Sequence, residues 1–316
     1  MKRIPWRFRT LVSVILVSCF GWIIHCYNFS ALPNGGFGLG GIHHWMHGET
    51  SSDKQTMNPV IIGHRGVWIG LRGGRGGAGN TIRAIREAAA IGVDWIEVDV
   101  RKSADGILFL FHDKDVCRVT DAKRAFANRQ DWDFSSFESA EIAKLGIDYP
   151  NGREAIPRLA DAMKEFAGDP QVKFVLDLKD SGITPRDLRK AVGELDPDRF
   201  ILFGKKDCLD DFAEEEKASK DRRRYTLGYT ALWTENNNKL DFLFSHEFLL
   251  RECKDLGGEY LVLPALFLNQ DLIDNAHKAN CKVLAYGIDE QYPYKVTDMG
   301  VDGLIVDDPS GVSSKY

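Results

Sequence analysis

The sequence predicts an α/β protein built on a closed barrel of eight parallel strands alternating with helices, a (β/α)8 TIM barrel. Eight short β-branched runs recur between residues 59 and 308, separated by amphipathic segments such as IRAIREAAAIG. The runs are apolar throughout, as in parallel strands covered on both faces. Residues 58–316 also have about the length of such a barrel, roughly 250 residues, although an open doubly wound sheet is an alternative. The runs are PVIIGH (59–64), WIEVDV (95–100), VKFVLDL (172–178), RFILFG (199–204), RYTLGY (224–229), YLVLPA (260–265), CKVLAYGI (281–288) and GLIVDD (303–308).

The N-terminal residues 1–27 predict a hydrophobic helix that acts as a signal anchor or a signal peptide. The basic start MKRIPWRFR precedes an apolar stretch from Leu11 to Ile24, which is short for a spanning helix of about 20 residues. The tetrapeptide ending at Cys19 also resembles a lipoprotein cleavage box, and a buried helix of a cytosolic protein is the remaining alternative. With the positive flank inside, the domain is expected to be membrane-anchored or secreted, on the extracytoplasmic (periplasmic or extracellular) side.

Residues 28–57 and 58–316 are predicted to be a flexible linker and the barrel domain. The linker is rich in Gly, Ser and Asn and has no periodicity. Within the domain, a further apolar run, GILFLFHD at 106–113, follows the second strand too closely for a crossover helix. It predicts an accessory hairpin strand that leads into a small insertion after strand 2.

The charge and the glycine pattern argue against nucleic acid and nucleotide ligands. Residues 58–316 carry 36 Lys and Arg against 44 Asp and Glu, a net charge of −8 that is unfavourable for binding nucleic acid. Gly74, Gly76 and Gly79 match the G-x-G-x-x-G dinucleotide fingerprint, but that motif must follow its strand at once. Here the motif begins at Gly74, ten positions after His64, so we expect no nucleotide cofactor.

Polar residues at the carboxyl ends of the first strands predict an active site. His64 ends the first strand, Glu97 and Asp99 end the second, and Asp177 and Lys179 end the third, while His112 follows the accessory strand. Residues two apart on a strand share a face, and reactive groups of such barrels lie at the carboxyl ends of the strands. These side chains, together with Arg65, are therefore expected to converge.

The residue types at this rim predict metal binding and proton transfer. The carboxylates of Glu97, Asp99 and Asp177 are the hard oxygen ligands that Mg²⁺ or Ca²⁺ takes. The alternative is that they pair with Lys179 and Arg65. Two histidines beside such a cluster fit a general base and a general acid, because imidazole titrates near neutral pH.

The motifs that contain these residues resemble those of the glycerophosphodiester phosphodiesterase family. The resemblance covers residues 59–309 and rests on His64-Arg65-Gly66, Asn80-Thr81, Glu97-Val-Asp99, His112-Asp113, Ile156-Pro157, Asp177-Leu-Lys179 and the segment GVDGLIVDDP at 300–309. It implies a TIM barrel that hydrolyses glycerophosphodiesters or lysophospholipids to an alcohol and a glycerol 3-phosphate-type product with a divalent cation. It further implies that His64 and His112 are the acid–base pair, that Glu97, Asp99 and Asp177 bind the metal, and that Arg65 and Lys179 bind phosphate.

The sequence departs from the family pattern at several places. Gly79 stands where the family has a Glu before Asn-Thr, and the loop before it is about six residues longer than usual. Gly204-Lys205-Lys206 replaces a Ser-Phe motif, Tyr286 replaces a Trp, and Asp177 replaces a longer Glu. These differences leave open a lysophospholipase D or sphingomyelinase D-like activity on the same scaffold, or an inactive, membrane-tethered binding module.

Overall fold

The computed structural model describes residues 58–67, 79–149, 152–219, 223–231, 246–288 and 294–312. The predicted hydrophobic helix at 1–27, the linker at 28–57 and most of the Gly-rich loop after Val67 lie outside these residues. Among the residues described, no helix combines the length and the apolar character needed to cross a membrane.

The strands form a closed parallel barrel with an accessory strand. Each barrel strand pairs in parallel with the next, and the circle closes because β1 pairs with both β11 and β2. This closure confirms the predicted (β/α)8 barrel over an open sheet. The strands are β1 (Val60–Gly63), β2 (Trp95–Lys102), β3 (Leu108–Leu110), β4 (Gly146–Tyr149), β5 (Gly152–Ala155), β6 (Phe174–Leu178), β7 (Phe200–Gly204), β8 (Leu227–Thr230), β9 (Tyr260–Pro264), β10 (Lys282–Tyr286) and β11 (Gly303–Val306), of which β3, β4 and β5 are outside the barrel.

Helices follow the barrel strands and cover their outer face. The helices are α1 (Ile82–Ile91), α2 (Ala122–Ala125), α3 (Ser139–Ile142), α4 (Leu159–Glu165), α5 (Pro185–Val192), α6 (Lys206–Ala218), α7 (His246–Leu256), α8 (Gln270–Lys278) and α9 (Tyr294–Thr297). Alternate strand residues pack against them in one large core. The intervening residues, such as Ile62, Val175 and Phe203, form a second cluster. Since successive strand residues point to opposite faces, this second cluster fills the barrel interior.

The accessory strand and the insertion after β2 form a small unit with its own core. β3 pairs antiparallel with the end of β2, as the sequence predicts, and β4 pairs antiparallel with β5. Phenylalanines pack together in this unit, with the rings of Phe111 and Phe134 stacked at 5.0 Å. The β4–β5 pair and the two short helices α2 and α3 were not predicted, because their short segments have no clear periodicity.

Candidate active site

Three buried carboxylates meet at the carboxyl ends of β2 and β6. Asp99 is the register partner of Asp177 in the neighbouring strand, and Glu97 lies two residues before Asp99 on the same face. One carboxylate oxygen from each of the three lies within 4.8 Å of those of the other two. Because all three side chains are buried, their mutual repulsion is poorly screened by water.

Two cations offset part of this negative charge. Lys179 Nζ lies 2.8 Å from Asp99 Oδ1 and also donates to Asp177 Oδ2. Arg65 Nε lies 3.1 Å from Asp99 Oδ2, while the Arg65 backbone N–H donates to Glu97 Oε2 at 2.8 Å. Both cations thus contact the aspartates, whereas among the described residues Glu97 has a hydrogen bond from the Arg65 backbone and a contact to His64 at 4.0 Å.

The pKa values of the cluster follow from this uneven pairing. Burial raises the pKa of Glu97 well above its ordinary value, and repulsion from Asp99 and Asp177 adds to the rise. Burial would also raise the pKa of Asp99, but Lys179 and Arg65 outweigh it and hold that pKa well below its ordinary value. The same carboxylates raise the pKa of Lys179, although its burial acts in the opposite direction. Ionisation of all three carboxylates would therefore give the cluster more negative charge than Lys179 and Arg65 neutralise, and the raised pKa of Glu97 reflects that cost.

Asn80 holds Asp99 in place, a role that the sequence did not reveal. Its side-chain Nδ2 donates to Asp99 Oδ2 at 2.7 Å, and its Oδ1 accepts from the Asp99 backbone N–H at 2.9 Å. Asn80 has a left-handed backbone (φ 61°) and is buried. In the sequence Asn80 stands out only as part of the Asn-Thr pair of the family resemblance, and Thr81 is the N-cap of α1, accepting from the backbone N–H of Ala84. The Asn80 side chain therefore orients the Asp99 carboxylate.

His64 sits at the mouth of the cluster with a carboxylate behind it. Its Nδ1 lies 2.5 Å from Asp307 Oδ1, and its Nε2 lies 4.0 Å from Glu97 Oε2. Because an ionised carboxylate only accepts hydrogen bonds, Nδ1 carries the hydrogen and Nε2 presents its lone pair towards the cluster. Burial and the Arg65 charge lower the pKa of His64, and Asp307 opposes them only in part. The role of Asp307 was also missed, since it is 243 positions away along the chain.

His112 is also paired with a carboxylate through Nδ1. Its Nδ1 bonds Asp113 Oδ1 at 2.7 Å, and Arg118 donates two hydrogen bonds to the Asp113 carboxylate. The His112 carbonyl accepts from Arg101 Nε at 2.9 Å. This backbone contact and the adjacent acid fix the ring where the accessory strand returns to the barrel.

A cleft of about 500 Å³ connects His112 to the carboxylate cluster. Asp177 and Lys179 line it together with His112, and charged residues of the loop after His112 complete its wall. All seven residues that the sequence singled out therefore lie at the same end of the barrel. The volume is of the size that small-molecule ligands occupy.

The turn after His64 requires glycine at position 66. Gly66 has φ +84°, and an added Cβ would lie 2.5 Å from the backbone carbon of Ala84 in α1. We expect Gly66→Ala to lower the free energy of unfolding by about 3 kcal/mol through strain and overlap. Chemical denaturation measures this change. Gly92→Ala is the matched control, because Gly92 also has positive φ but open space around it; an equal loss in both variants would contradict the steric contribution.

Comparison with known proteins decides the family. Residues 64–310 match the model of the glycerophosphoryl diester phosphodiesterase family. The chain belongs to this family. It is therefore a phosphoric diester hydrolase, and glycerophosphodiesters are its substrate class. The three carboxylates that the resemblance predicts as metal ligands lie together in a cluster that can hold a metal ion.

Individual relatives and solved structures resemble the chain over different shares of its length. A glycerophosphodiester phosphodiesterase of Caldanaerobacter subterraneus subsp. tengcongensis is 26% identical over 80% of this chain and 96% of its own length. Glycerophosphodiester phosphodiesterase 1 of Bos taurus is 36% identical over 46% of this chain and 43% of its own. Among solved structures, an Oleispira antarctica phosphodiesterase in complex with the product sn-glycerol-3-phosphate has a TM-score of 0.60, with 21% identity over 81% of this chain and 96% of that chain.

Proposed function

We propose that this chain hydrolyses glycerophosphodiesters with a divalent cation held by Glu97, Asp99 and Asp177, and with His64 and His112 as the proton-transfer pair. The observation that carries the proposal is the pairing of two carboxylate-backed histidines with a buried carboxylate cluster whose charge is not balanced. The expected products are an alcohol and a glycerol 3-phosphate-type monoester.

The donor set fits a divalent cation. With all three carboxylates ionised, as metal ligands must be, they exceed Lys179 and Arg65 by one negative charge in a buried site. A divalent cation turns this into one positive charge, which matches the single negative charge of a phosphodiester. When bound, such an ion polarises the phosphoryl oxygens and stabilises the charge that develops on them. Oxygen-only ligands suit Mg²⁺ or Ca²⁺.

The two histidines are suited to opposite proton transfers. We assign the general base to His64, because its Nε2 lone pair faces the cluster and its lowered pKa keeps the ring neutral near pH 7. We assign the general acid to His112, which lines the cleft where the departing alcohol is expected to lie. Asp307 and Asp113 orient the two rings. Arg65 and Lys179, within the cluster, are assigned to hold the phosphate oxygens.

A hydrolysis assay with matched variants tests the mechanism. Glycerophosphocholine and lysophosphatidylcholine are incubated with the purified protein, with Mg²⁺ or Ca²⁺ and with a chelator. We expect glycerophosphocholine hydrolysis that the chelator abolishes and that His64→Ala and His112→Ala strongly reduce. His277→Ala is the control, because His277 also pairs with a carboxylate, Asp302, but just before the start of β11, at the other end of the barrel.

Each outcome of this assay has a distinct meaning. Full activity in both His64→Ala and His112→Ala would contradict the proton-transfer roles. Turnover of the lysolipid alone would favour a lysophospholipase D-like activity. Absence of turnover with every substrate, in the presence of either metal, would favour a binding module.

We also propose that residues 1–27 place the domain on the extracytoplasmic side of a membrane, as an anchor or a removed signal. The support is the basic start followed by the apolar stretch. Cell fractionation followed by N-terminal sequencing tests this. An uncleaved chain in the membrane fraction indicates an anchor, and a full-length chain in the cytosol would overturn the proposal.

A further inference from the structure

The cleft beside His112 contains one lysine with different surroundings from the other cations. Lys205 lies between β7 and α6 and lines the cleft together with Asp177 and Lys179. It is also a position where the chain departs from the Ser-Phe motif of its family. The side chain is therefore a feature of this protein rather than of the shared catalytic residues.

The other cations of the cleft already have carboxylate partners. These pairs are Arg101 with Asp180, Lys114 with Asp133, Arg118 with Asp113, and Lys179 with Asp99 and Asp177. Lys205, by contrast, forms no ion pair with any residue in the described part of the chain. Its neighbour Lys206 pairs with Asp210 at 2.8 Å. Of these two adjacent lysines, Lys205 is the one that offers its charge to the cleft.

The position of the cleft relates Lys205 to one part of the substrate. If the phosphorus lies at Asp177 and Lys179, as the proposed function requires, the alcohol that leaves towards His112 extends into the cleft. A lysine there attracts an anionic substituent and repels a cationic one such as choline. Because α6 begins at Lys206, the positive end of that 13-residue helix acts in the same direction.

We propose that Lys205 binds a negatively charged substituent on the alcohol portion of the substrate. This inference rests on the proposed function and adds a specificity: the protein prefers glycerophosphodiesters whose alcohol carries an anionic group, such as a phosphomonoester, over those with a neutral or a quaternary ammonium group. The preference is expected to be about tenfold in kcat/KM, the size of one partly screened charge pair.

Two substrates that differ by one phosphate test this. The kcat/KM of the metal-loaded protein is measured with glycerophosphoinositol 4-phosphate and with glycerophosphoinositol. We expect the phosphorylated substrate to be favoured about tenfold, mainly through KM, and Lys205→Met to remove the preference while leaving glycerophosphoinositol turnover in place. Lys205→Arg is expected to retain it. Lys206→Met is the matched control, since that lysine is held by Asp210.

The outcomes separate this inference from the proposed function. An equal kcat/KM for the two substrates, or a preference that survives Lys205→Met, would overturn the role of Lys205 while leaving the hydrolysis intact. If neither substrate is turned over, the proposed function fails. Calorimetric titration with the same two compounds then decides on Lys205, because equal affinities would overturn its role.

A separate observation concerns two buried thiols far from the active site. Cys253 in α7 and Cys281 at the start of β10 have their Sγ atoms 3.0 Å apart, and both residues are buried. The Cys253 Sγ also lies 3.4 Å from the Gly258 carbonyl oxygen, at the turn that leads into β9. The thiols therefore face each other directly across two adjacent α/β units.

We propose that Cys253 and Cys281 form a disulfide when the chain folds in the presence of a small-molecule disulfide such as oxidised glutathione. Each thiol loses one proton and one electron, the S–S bond forms, and the small-molecule disulfide is reduced to two thiols. Since both sulfurs are buried in the folded protein, the exchange takes place during folding. The bond closes a loop across a separation of 28 residues and is expected to raise Tm by about 5–10 °C.

Peptide mapping tests the pairing. The full chain is refolded in oxidised and reduced glutathione, alkylated, digested without reductant and analysed by mass spectrometry. We expect one cross-linked peptide pair containing Cys253 and Cys281, and a Tm that reductant lowers in the wild type but not in Cys253→Ser/Cys281→Ser. Recovery of both cysteines in alkylated form, or a cross-link to Cys117 or Cys208 instead, would overturn the proposal, even if the double variant fails to fold.

Discussion

Replacing His64 with alanine is expected to lower kcat/KM for a glycerophosphodiester by about 10²–10⁴-fold, the range for loss of a general acid or base. The Nε2 atom faces the carboxylate cluster, and in the proposed mechanism its removal leaves the nucleophile without a proton acceptor. Steady-state kinetics under saturating metal measure the loss. Burial and Arg65 lower the pKa of His64. In a plot of wild-type kcat/KM against pH, the decrease on the acid side should therefore be centred below pH 6.5.

Replacing Asp307, the hydrogen-bond partner of His64, tests whether the orientation of the His64 ring matters for activity. Asp307→Asn keeps the shape of the side chain but removes the charge that fixes the tautomer of His64. We expect a loss of about 10²-fold or more, and no further loss when this change is added to His64→Ala, because the two residues act as a unit. A strictly additive double variant would contradict the coupling. Asp302→Asn, which changes the partner of His277, is the control for an effect on stability alone.

Glu97→Gln is expected to separate activity from stability. The amide keeps the acceptor for the Arg65 backbone N–H but removes the charge of a proposed metal ligand, so the metal concentration needed for half-maximal activity should rise about 100-fold or more. In the metal-free protein the same change removes a poorly compensated buried charge. The variant should therefore melt several degrees higher than the wild type without metal, which differential scanning calorimetry measures.

The raised pKa of Glu97 predicts how the increase in Tm of metal-free Glu97→Gln depends on pH. A group whose pKa is higher in the folded state contributes stability that is fully present below its unfolded value, near 4.5, and is lost as pH rises through the folded value. The difference in Tm between Glu97→Gln and the wild type should thus be near zero at low pH and grow as pH rises. Saturating Mg²⁺ or Ca²⁺ should reverse its sign. A higher Tm for the wild type at neutral pH without metal would contradict the assignment of excess charge to Glu97.

The barrel and most of the site are readable from local sequence. Continuous β-branched runs indicate strands covered on both faces, and residues two apart on such a strand must share a face. The spacing of Glu97 and Asp99, and that of Asp177 and Lys179, therefore predicts a cluster at the rim of the barrel from the sequence alone. The insertion after β2 was predicted only in outline, because its core is made by phenylalanines from segments too short to show a period.

Pairing across the chain is what the sequence left open. The sequence did not decide whether Lys179 and Arg65 neutralise the carboxylates or leave room for a metal. In the structure both cations contact Asp99, and the pKa of Glu97 is raised. The partnership of His64 with Asp307 depends on closure of the barrel between β1 and β11. Sequence spacing does not predict that His64 and Asp307 meet, because they are brought together only when the first and last barrel strands pair.

The sequence by itself determined the fold class and the family, and it predicted the residues that we propose carry the chemistry, because strand periodicity and the order of motifs are local properties. The tertiary structure alone decided which carboxylate has the least counter-charge, which lysine of the cleft has no ion pair among the described residues, and which two thiols meet. These depend on distances between segments brought together by packing, and electrostatic and covalent partners act over a few ångströms in space rather than along the chain.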